Sequence, residues 1–475
     1  MYKNQNPKFN ESLEDIKNKI IQIDRPLVIG YSGGKDSTCV VQLVWKALEE
    51  LSLKDWKHHV FVVCCDTLVE TPQVLGYLQE NILKMNIAAR NKGLPLSVHK
   101  VFPKADNTFW VNLIGKGYPA PRTKFRWCTD RLKIEPVNQF ILDVASKYGE
   151  VVIVLGVRKD ESIARAQVLK EYELEKNQAT GVSLPRHSTL PNAFIFTPIA
   201  SWSTEDVWDY LLSNTNTPWG GSNRELSAMY KEASDGECPL VIDKTTASCG
   251  NSRFGCWVCT VVEKNKSLEN VVDKGEEWLE PLIDFRNLLM ETTDPTKKSI
   301  YRSHVRRAGS TQLMNNSKEE DEDPKLIRGP YYFEFRKQLL LKLLGIQKKI
   351  KEKNSEIELI SNSELKEIRR LWITEENDWK DSVLEIYSKI YNQPLNFQSD
   401  DTASFGATEF SLLKEACEEI DVSPDLVARL IDKEREFTAT GKKLALMKEL
   451  DGVLSREWRT EEDVLAALKG NNNGN

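Results

Sequence analysis

No apolar run in the 475 residues approaches the ~20 that a membrane-spanning helix requires, which excludes a membrane span and a membrane partner. The opening stretch MYKNQNPKFNESLEDIKNK lacks the apolar core of a signal peptide. An excess of basic charge is missing too. Lys and Arg number 65 against 71 Asp and Glu, a formal net charge of −6, so the bulk field is not that of a protein holding nucleic acid by charge alone. With 40% hydrophobic and 29% charged residues, the chain reads as a soluble, cytoplasmic globular protein. It is long enough for two or three domains, because single cores rarely grow beyond ~300 residues.

Cysteine is absent from Glu418 to Asn475, and the nine present are unevenly placed. Cys39, Cys64 and Cys65 lie in apolar segments and Cys417 in a helical pattern, where a small apolar side chain simply packs. Cys128, Cys238, Cys249, Cys256 and Cys259 lie among polar, glycine or tryptophan residues. In a reducing compartment such cysteines are metal ligands or reactive thiols rather than a disulfide framework.

Three short runs rich in β-branched residues, 26-PLVIGY-31, 60-VFVVCCD-66 and 151-VVIVLGV-157, are each followed by a turn and a segment of helical periodicity. This predicts parallel βα units: an α/β class with an open parallel sheet over the first ~210 residues and ligands beyond the carboxyl ends of its strands. The segment 38-TCVVQLVWKALEELS-52 is the helix leaving the first loop. From about Asn214 to Cys259 the chain is irregular, Glu319 to Asp323 is an exposed acidic run, and the sequence after Arg328 is helical. Ser423-Pro424-Asp425 and Thr460 have the form of helix caps, and the tail from Gly470 carries no signal for order. The expected domains are 1–212, a cysteine-rich segment 213–325 and a helical region 326–475.

The first loop, 30-GYSGGKDST-38, lacks the Walker pattern, since Asp36 follows Gly34-Lys35 and position 29 is isoleucine. It still has the parts of an anion nest: glycines that permit close backbone approach, successive N–H groups and a helix amino terminus. Ser32-Gly33-Gly34-Lys35-Asp36-Ser37 resembles the PP-loop of ATP pyrophosphatases, an adenine nucleotide alpha hydrolase-like fold in which ATP is split between its α and β phosphates. The resemblance implies that this loop holds the pyrophosphate of ATP, that Lys35 and Asp36 are catalytic with Asp36 placing Mg2+, and that Asp66 contacts the nucleoside. An ordinary strand-end aspartate capping the next helix is the other reading of Asp66.

Three further segments, 128-CTDRLKIEP-136, 156-GVRKDESIARA-166 and 198-PIASWSTEDVWDYL-211, resemble the 3′-phosphoadenylylsulfate (PAPS) reductase branch of this superfamily. That implies a nucleotide site including Arg131, Lys133, Gly156, Arg158 and Arg165, since guanidinium groups suit phosphate and sulfate. Reductases end in a Glu-Cys-Gly motif near the carboxyl terminus, which is missing here, so another group must carry sulfur. Cys128, between Arg126 and Arg131, is a candidate, because nearby cations lower a thiol's pKa. The competing reading is a buried small residue beside Trp127.

Cys238, Cys249, Cys256 and Cys259 are separated by ten, six and two residues. Four thiolates within 22 residues can close around one centre: a 4Fe-4S cluster, which accepts varied spacing, or zinc, which more often uses two C-x2-C knuckles. The whole combination resembles the C component of the bacterial DNA phosphorothioation (Dnd) system. That family implies an ATP pyrophosphatase and sulfurtransferase that replaces a non-bridging oxygen of DNA by sulfur, with a cysteine desulfurase and other Dnd subunits as partners. A PP-loop tRNA thiolase, a sulfonucleotide reductase and a non-enzymatic nucleotide sensor are the alternatives.

Overall fold

A computed structural model of the protein describes residues 6–174, 184–232, 255–273, 275–314, 325–395, 397, 407–418, 420, 422–438 and 443–472. The chain divides into two compact units, Met1–Phe109 with Pro121–Arg286, and Trp110–Ala120 with Asn287–Asn475. Residues 213–286 group with the sheet, and the eleven residues Trp110–Ala120 group with the helical unit.

The first unit is built on one parallel sheet of five strands, β1 (Leu27–Gly30), β2 (Val60–Cys65), β3 (Leu96–Val101), β4 (Val151–Val154) and β5 (Ala193–Phe196), in the order β3-β2-β1-β4-β5. Every residue of β1 and β4 is buried, because helices cover both faces and a central strand must then be apolar throughout. The helices are α1 (Pro7–Gln22), α2 (Lys35–Glu50), α3 (Pro72–Asn91), α4 (Glu135–Tyr148), α5 (Ile163–Leu174), α6 (Thr204–Ser213) and α7 (Asn223–Glu232). From β1 the chain steps outward to β2 and β3, then returns to β4 on the other side of β1 and continues to β5. The loops after β1 and β4 therefore diverge, leaving a crevice at the carboxyl edge where an open sheet binds ligands. The parallel α/β fold is as expected, with β3 and β5 added at the edges.

Packing holds α2 rigidly beneath this crevice. Cys39, Val40, Val41, Leu43, Val44 and Trp45 of α2 are all buried in the core. A buried pair, Gln42 Nε2 donating to Asn223 Oδ1 (2.8 Å), ties α2 to the start of α7. α1 closes the far side through Phe9, 4.8 Å from the Trp202 ring and 5.3 Å from Tyr210. Cys39, Cys64 and Cys417 are buried as expected of packing residues.

The second unit is helical. Its longest helix, Phe333–Lys353, buries Leu339, Leu340, Leu343 and Leu344, and Gln347 Oε1 accepts the N–H groups of Leu359 (2.7 Å) and Ile360 (2.9 Å). Ser361 and Glu364 form a capping box at the start of Asn362–Glu376. Ser423 and Thr460 stand at the starts of Pro424–Thr438 and Glu461–Asn472 as their sequences predict. The last helix runs to Asn472, further than the polar tail foretold, because Thr460 and three first-turn acids nucleate it. No described helix is long and apolar enough to cross a membrane.

Asp206 joins α1 to α6: its carboxylate accepts from Lys8 Nζ (2.6 Å), Asn6 Nδ2 (3.2 Å) and the Ser203 N–H (2.8 Å). Burial opposes its charge, but these donors prevail and bring its pKa to about 2. A carboxyl group depressed on folding stabilises above its unfolded pKa near 4, and that stability is lost as pH falls through the folded value. Urea denaturation should show Asp206→Ala costing on the order of 1–2 kcal/mol at pH 7, with the difference from wild type disappearing between about pH 4 and pH 2.

Candidate nucleotide site and thiol group

The loop after β1 turns at Gly33, whose φ of +74° and the approach of Leu78 Cδ2 to 2.5 Å from any added Cβ leave room for glycine alone. α2 then starts at Lys35 with no side-chain cap. Hydroxyl groups satisfy the loop's N–H groups instead. The Ser32 N–H donates to Ser37 Oγ (3.2 Å), and the Lys35 N–H donates to the hydroxyl of Tyr230 on α7 (2.9 Å). These neutral acceptors occupy the directions in which a phosphate would accept, so an anion gains the N–H groups by displacing weaker partners.

Asp36 sits between two cations. Lys35 Nζ donates to its Oδ2 (2.8 Å) and Arg158 Nε to its Oδ1 (2.6 Å). Arg158 is 2% exposed, and Asp36 raises its pKa against the cost of burial. Gly156 packs directly on this loop, since a Cβ there would lie 2.9 Å from the Asp36 backbone. The loops after β1 and β4 are thus bolted together across the crevice. Each Asp36 oxygen keeps a lone pair beyond its bond to Lys35 or Arg158.

The other expected nucleotide contacts are less uniform. Asp66 accepts from the Leu68 N–H (2.8 Å) and pairs with Lys100 (2.7 Å), shaping a turn in which Leu68 has φ +65°. It does not cap the following helix, whose N-cap is Thr71. Arg131 donates to Asn107 Oδ1 (3.1 Å), and Arg165 is paired with Glu161 one helical turn away. Arg131 and Lys133 lie in a short π-helical turn, Thr129–Ile134, that leads into α4.

Lys133 marks a second group of residues. Burial lowers its ammonium pKa, but Cys256, Glu70, Cys128 and Cys65 together raise it above the ordinary value. Cys65, expected only to pack, belongs here: its Sγ donates to the Leu132 carbonyl (2.9 Å). Cys256 forms an antiparallel bridge with Glu70, the Trp257 N–H donates to the Val69 carbonyl (3.0 Å), and Thr67 Oγ1 lies 3.5 Å from Cys256 Sγ. Cys259 closes a turn on Cys256 through its N–H (3.1 Å). Arg286, invisible as a site residue in the sequence, holds this turn by donating to the carbonyls of Cys259 (2.9 Å) and Glu263 (2.7 Å).

One expectation is overturned. Cations beside Cys128 should have lowered its pKa, but burial outweighs Lys133 and Arg126, Cys259 adds to it, and the thiol is pushed up to about 11. Desolvation of a thiolate costs more here than the two cations return. Cys238 and Cys249 lie outside the described residues, and among the described residues no three metal-ligating side chains converge. The Cys256–Cys259 turn fits half of a four-thiolate site, being two cysteines on one tight turn with a fixed backbone.

Residues 26–261, just under half of the chain, match the family model for the phosphoadenosine phosphosulfate reductase domain. This region is a PAPS reductase-like PP-loop domain. An uncharacterized protein of Methanocaldococcus jannaschii is 26% identical over 266 residues, covering 55% of this chain and 42% of that protein. An uncharacterized 37.8 kDa protein of Escherichia phage 186 is 34% identical over 89 residues, 18% of this chain and 23% of that one. The chain thus spans under half the length of these curated relatives. Among solved structures, it is similar to a phosphoadenylyl-sulfate reductase of Candida auris (12% identity, 46% of this chain and 84% of that one, TM-score 0.29). It is also similar to the U34-tRNA thiolase of Methanococcus maripaludis, which carries a 4Fe–4S cluster (12% identity, 62% and 83%, TM-score 0.28). The fold assignment rests on the sheet topology and the family match.

The PAPS reductase-like domain depends on the Arg158–Asp36 pair for the junction of its two central loops. Arg158→Met leaves a half-buried carboxylate facing Lys35 alone and should destabilise the protein by about 3 kcal/mol in urea denaturation.

Proposed function

We propose that this protein cleaves ATP to AMP and pyrophosphate in order to activate a DNA phosphate oxygen for replacement by sulfur. One observation carries the reading: an anion-cradling loop after β1 and a group of buried thiols after β2 share the carboxyl edge of one sheet. In this proposal Ser32 to Ser37 hold the pyrophosphate through backbone N–H groups, with Tyr230 giving way, and Asp36 places Mg2+. Lys35 leaves Asp36 to meet the phosphate charge. A non-bridging oxygen of the DNA phosphodiester attacks the α-phosphorus, a P–O bond forms, the α–β bond breaks and pyrophosphate departs. Sulfur at the oxidation level of sulfide then attacks the DNA phosphorus, and AMP leaves with the original oxygen. A phosphate oxygen is a poor leaving group until AMP is attached, which is why ATP is consumed.

Cys256 and Cys259, with Cys238 and Cys249, would hold an iron–sulfur cluster, which supplies sulfur or electrons when bound. Arg286 fixes the backbone of the Cys256–Cys259 turn. Lys133 keeps positive charge beside the thiols and so favours their deprotonated forms against burial. A cysteine desulfurase is the proposed sulfur source, with other Dnd subunits presenting the DNA.

Product analysis by chromatography should show AMP and pyrophosphate, and Lys35→Ala should lower the rate by about 100-fold or more. ADP and orthophosphate as main products would exclude the reading, and stimulation by tRNA rather than DNA would redirect it to a tRNA thiolase. Anaerobically purified protein should hold about four irons per chain by metal analysis. Cys256→Ser and Cys259→Ser should each lower that content, whereas one stoichiometric zinc would show that the centre is not an iron–sulfur cluster.

A further inference from the structure

The helical unit contains a cleft of about 1340 Å³, larger than the ~300–1,000 Å³ of an ordinary small-molecule site. Eight basic side chains and five carboxylates line it. Three of those carboxylates are matched to lining cations: Glu375 to Arg307 (2.7 Å), Glu376 to Arg336 (2.6 Å) and Glu449 to Lys433 (4.0 Å). Glu457 is bound by Arg459 (2.7 Å).

Three arginines in the same wall have no carboxylate at ion-pair distance among the described residues. Arg306 donates to the neutral Gln312 (2.6 Å), and Arg429 donates only to the Glu375 carbonyl. Arg456 rests its stem on Gly309, whose φ of +87° and missing Cβ make the seat. Arg429 Nε is buried without a hydrogen-bond partner, as is Nε of Arg336, which is 1% exposed. Burial and then the neighbouring Arg456 lower the pKa of Arg429, and they outweigh the opposing pull of Glu376, Asp425 and Glu375. Aromatic rings share the wall: the Arg429 guanidinium lies 5.9 Å from the centre of the Trp458 ring, and Tyr332 and Trp379 also line the cleft.

We propose that this cleft binds the phosphodiester backbone of a nucleic acid strand, with Arg306, Arg429 and Arg456 on phosphates and Trp458 beside the bases. Unmatched guanidinium groups set among aromatic rings suit a chain of phosphates and stacked bases, and the size of the cleft suits several nucleotides rather than one anion. The inference extends the proposed action on DNA to a surface outside the ATP site. Binding is read without turnover, so its failure and a failure of the AMP-forming chemistry are separate results.

The test is fluorescence anisotropy of a labelled single-stranded oligonucleotide with the full-length protein across a salt series. Arg429→Gln/Arg456→Gln should bind about tenfold more weakly, and the log–log salt slope should fall by about 1.4, at about 0.7 per lost phosphate contact. Arg429→Lys/Arg456→Lys should keep the wild-type slope, and thermal unfolding would confirm that both variants fold. Unchanged affinity and slope in the glutamine variant would overturn the proposal. So would displacement of the oligonucleotide by equimolar inorganic phosphate or AMP, which would make the cleft a small-anion site.

Discussion

The contact between Arg158 and Asp36 joins two loops that the strand order pulls apart. β1 and β4 are paired as far as Ile29 and Val154, but in the order β3-β2-β1-β4-β5 the chain turns one way after β1 and the other after β4, so beyond that ladder the two loops need a contact of their own to stay together. The guanidinium does, with Nε 2.6 Å from Asp36, while Gly156 lets the second loop lie flush against the first. Because Arg158 is almost wholly buried, the charge cannot be left without its partner, and the geometry of the phosphate loop follows from that necessity.

Around this junction the protein has arranged donors whose present partners are replaceable. A tyrosine hydroxyl and two serines satisfy the N–H groups of the loop, and Lys35 rests on Asp36. Each is a weaker partner than a phosphate oxygen would be, and together they hold the loop in one ordered conformation. The thiol group is ordered differently: partly buried thiols and Glu70 act together on the Lys133 ammonium, and Arg286 fixes the Cys259 backbone. Burial there raises the thiols' pKa values, so proximity of positive charge in the sequence was a poor guide to thiolate character.

Much of the architecture was legible in residue order. Continuous β-branched runs are what a strand covered on both faces must have, and β1, β2 and β4 were plain for that reason. The edge strands escaped. β3 mixes polar and apolar residues as LSVHKV and so lacks the continuous apolar run, while β5, buried at all four positions, is only AFIF between turns and has no β-branched run to mark it. The PP-loop was readable because each of its residues meets a local demand: φ above zero at Gly33, a helix start at Lys35, a hydroxyl at Ser37 that folds back on the loop.

The sequence by itself determined the α/β class, the tight glycine turn and helix start of the first loop, and which cysteines were worth explaining, because these depend on neighbours within a few positions. Tertiary structure alone decided that Tyr230 closes the loop, that Arg158 serves Asp36, that Cys65 joins Cys128 and Cys256 beside Lys133, and that Arg286 holds the cysteine turn. Each of those partners lies far along the chain from what it touches, 195 residues for Lys35 and Tyr230 and 122 for Arg158 and Asp36. Burial, which raises the pKa of Cys128 and lowers that of Arg429, is a property of the packed interior that spacing and composition do not encode.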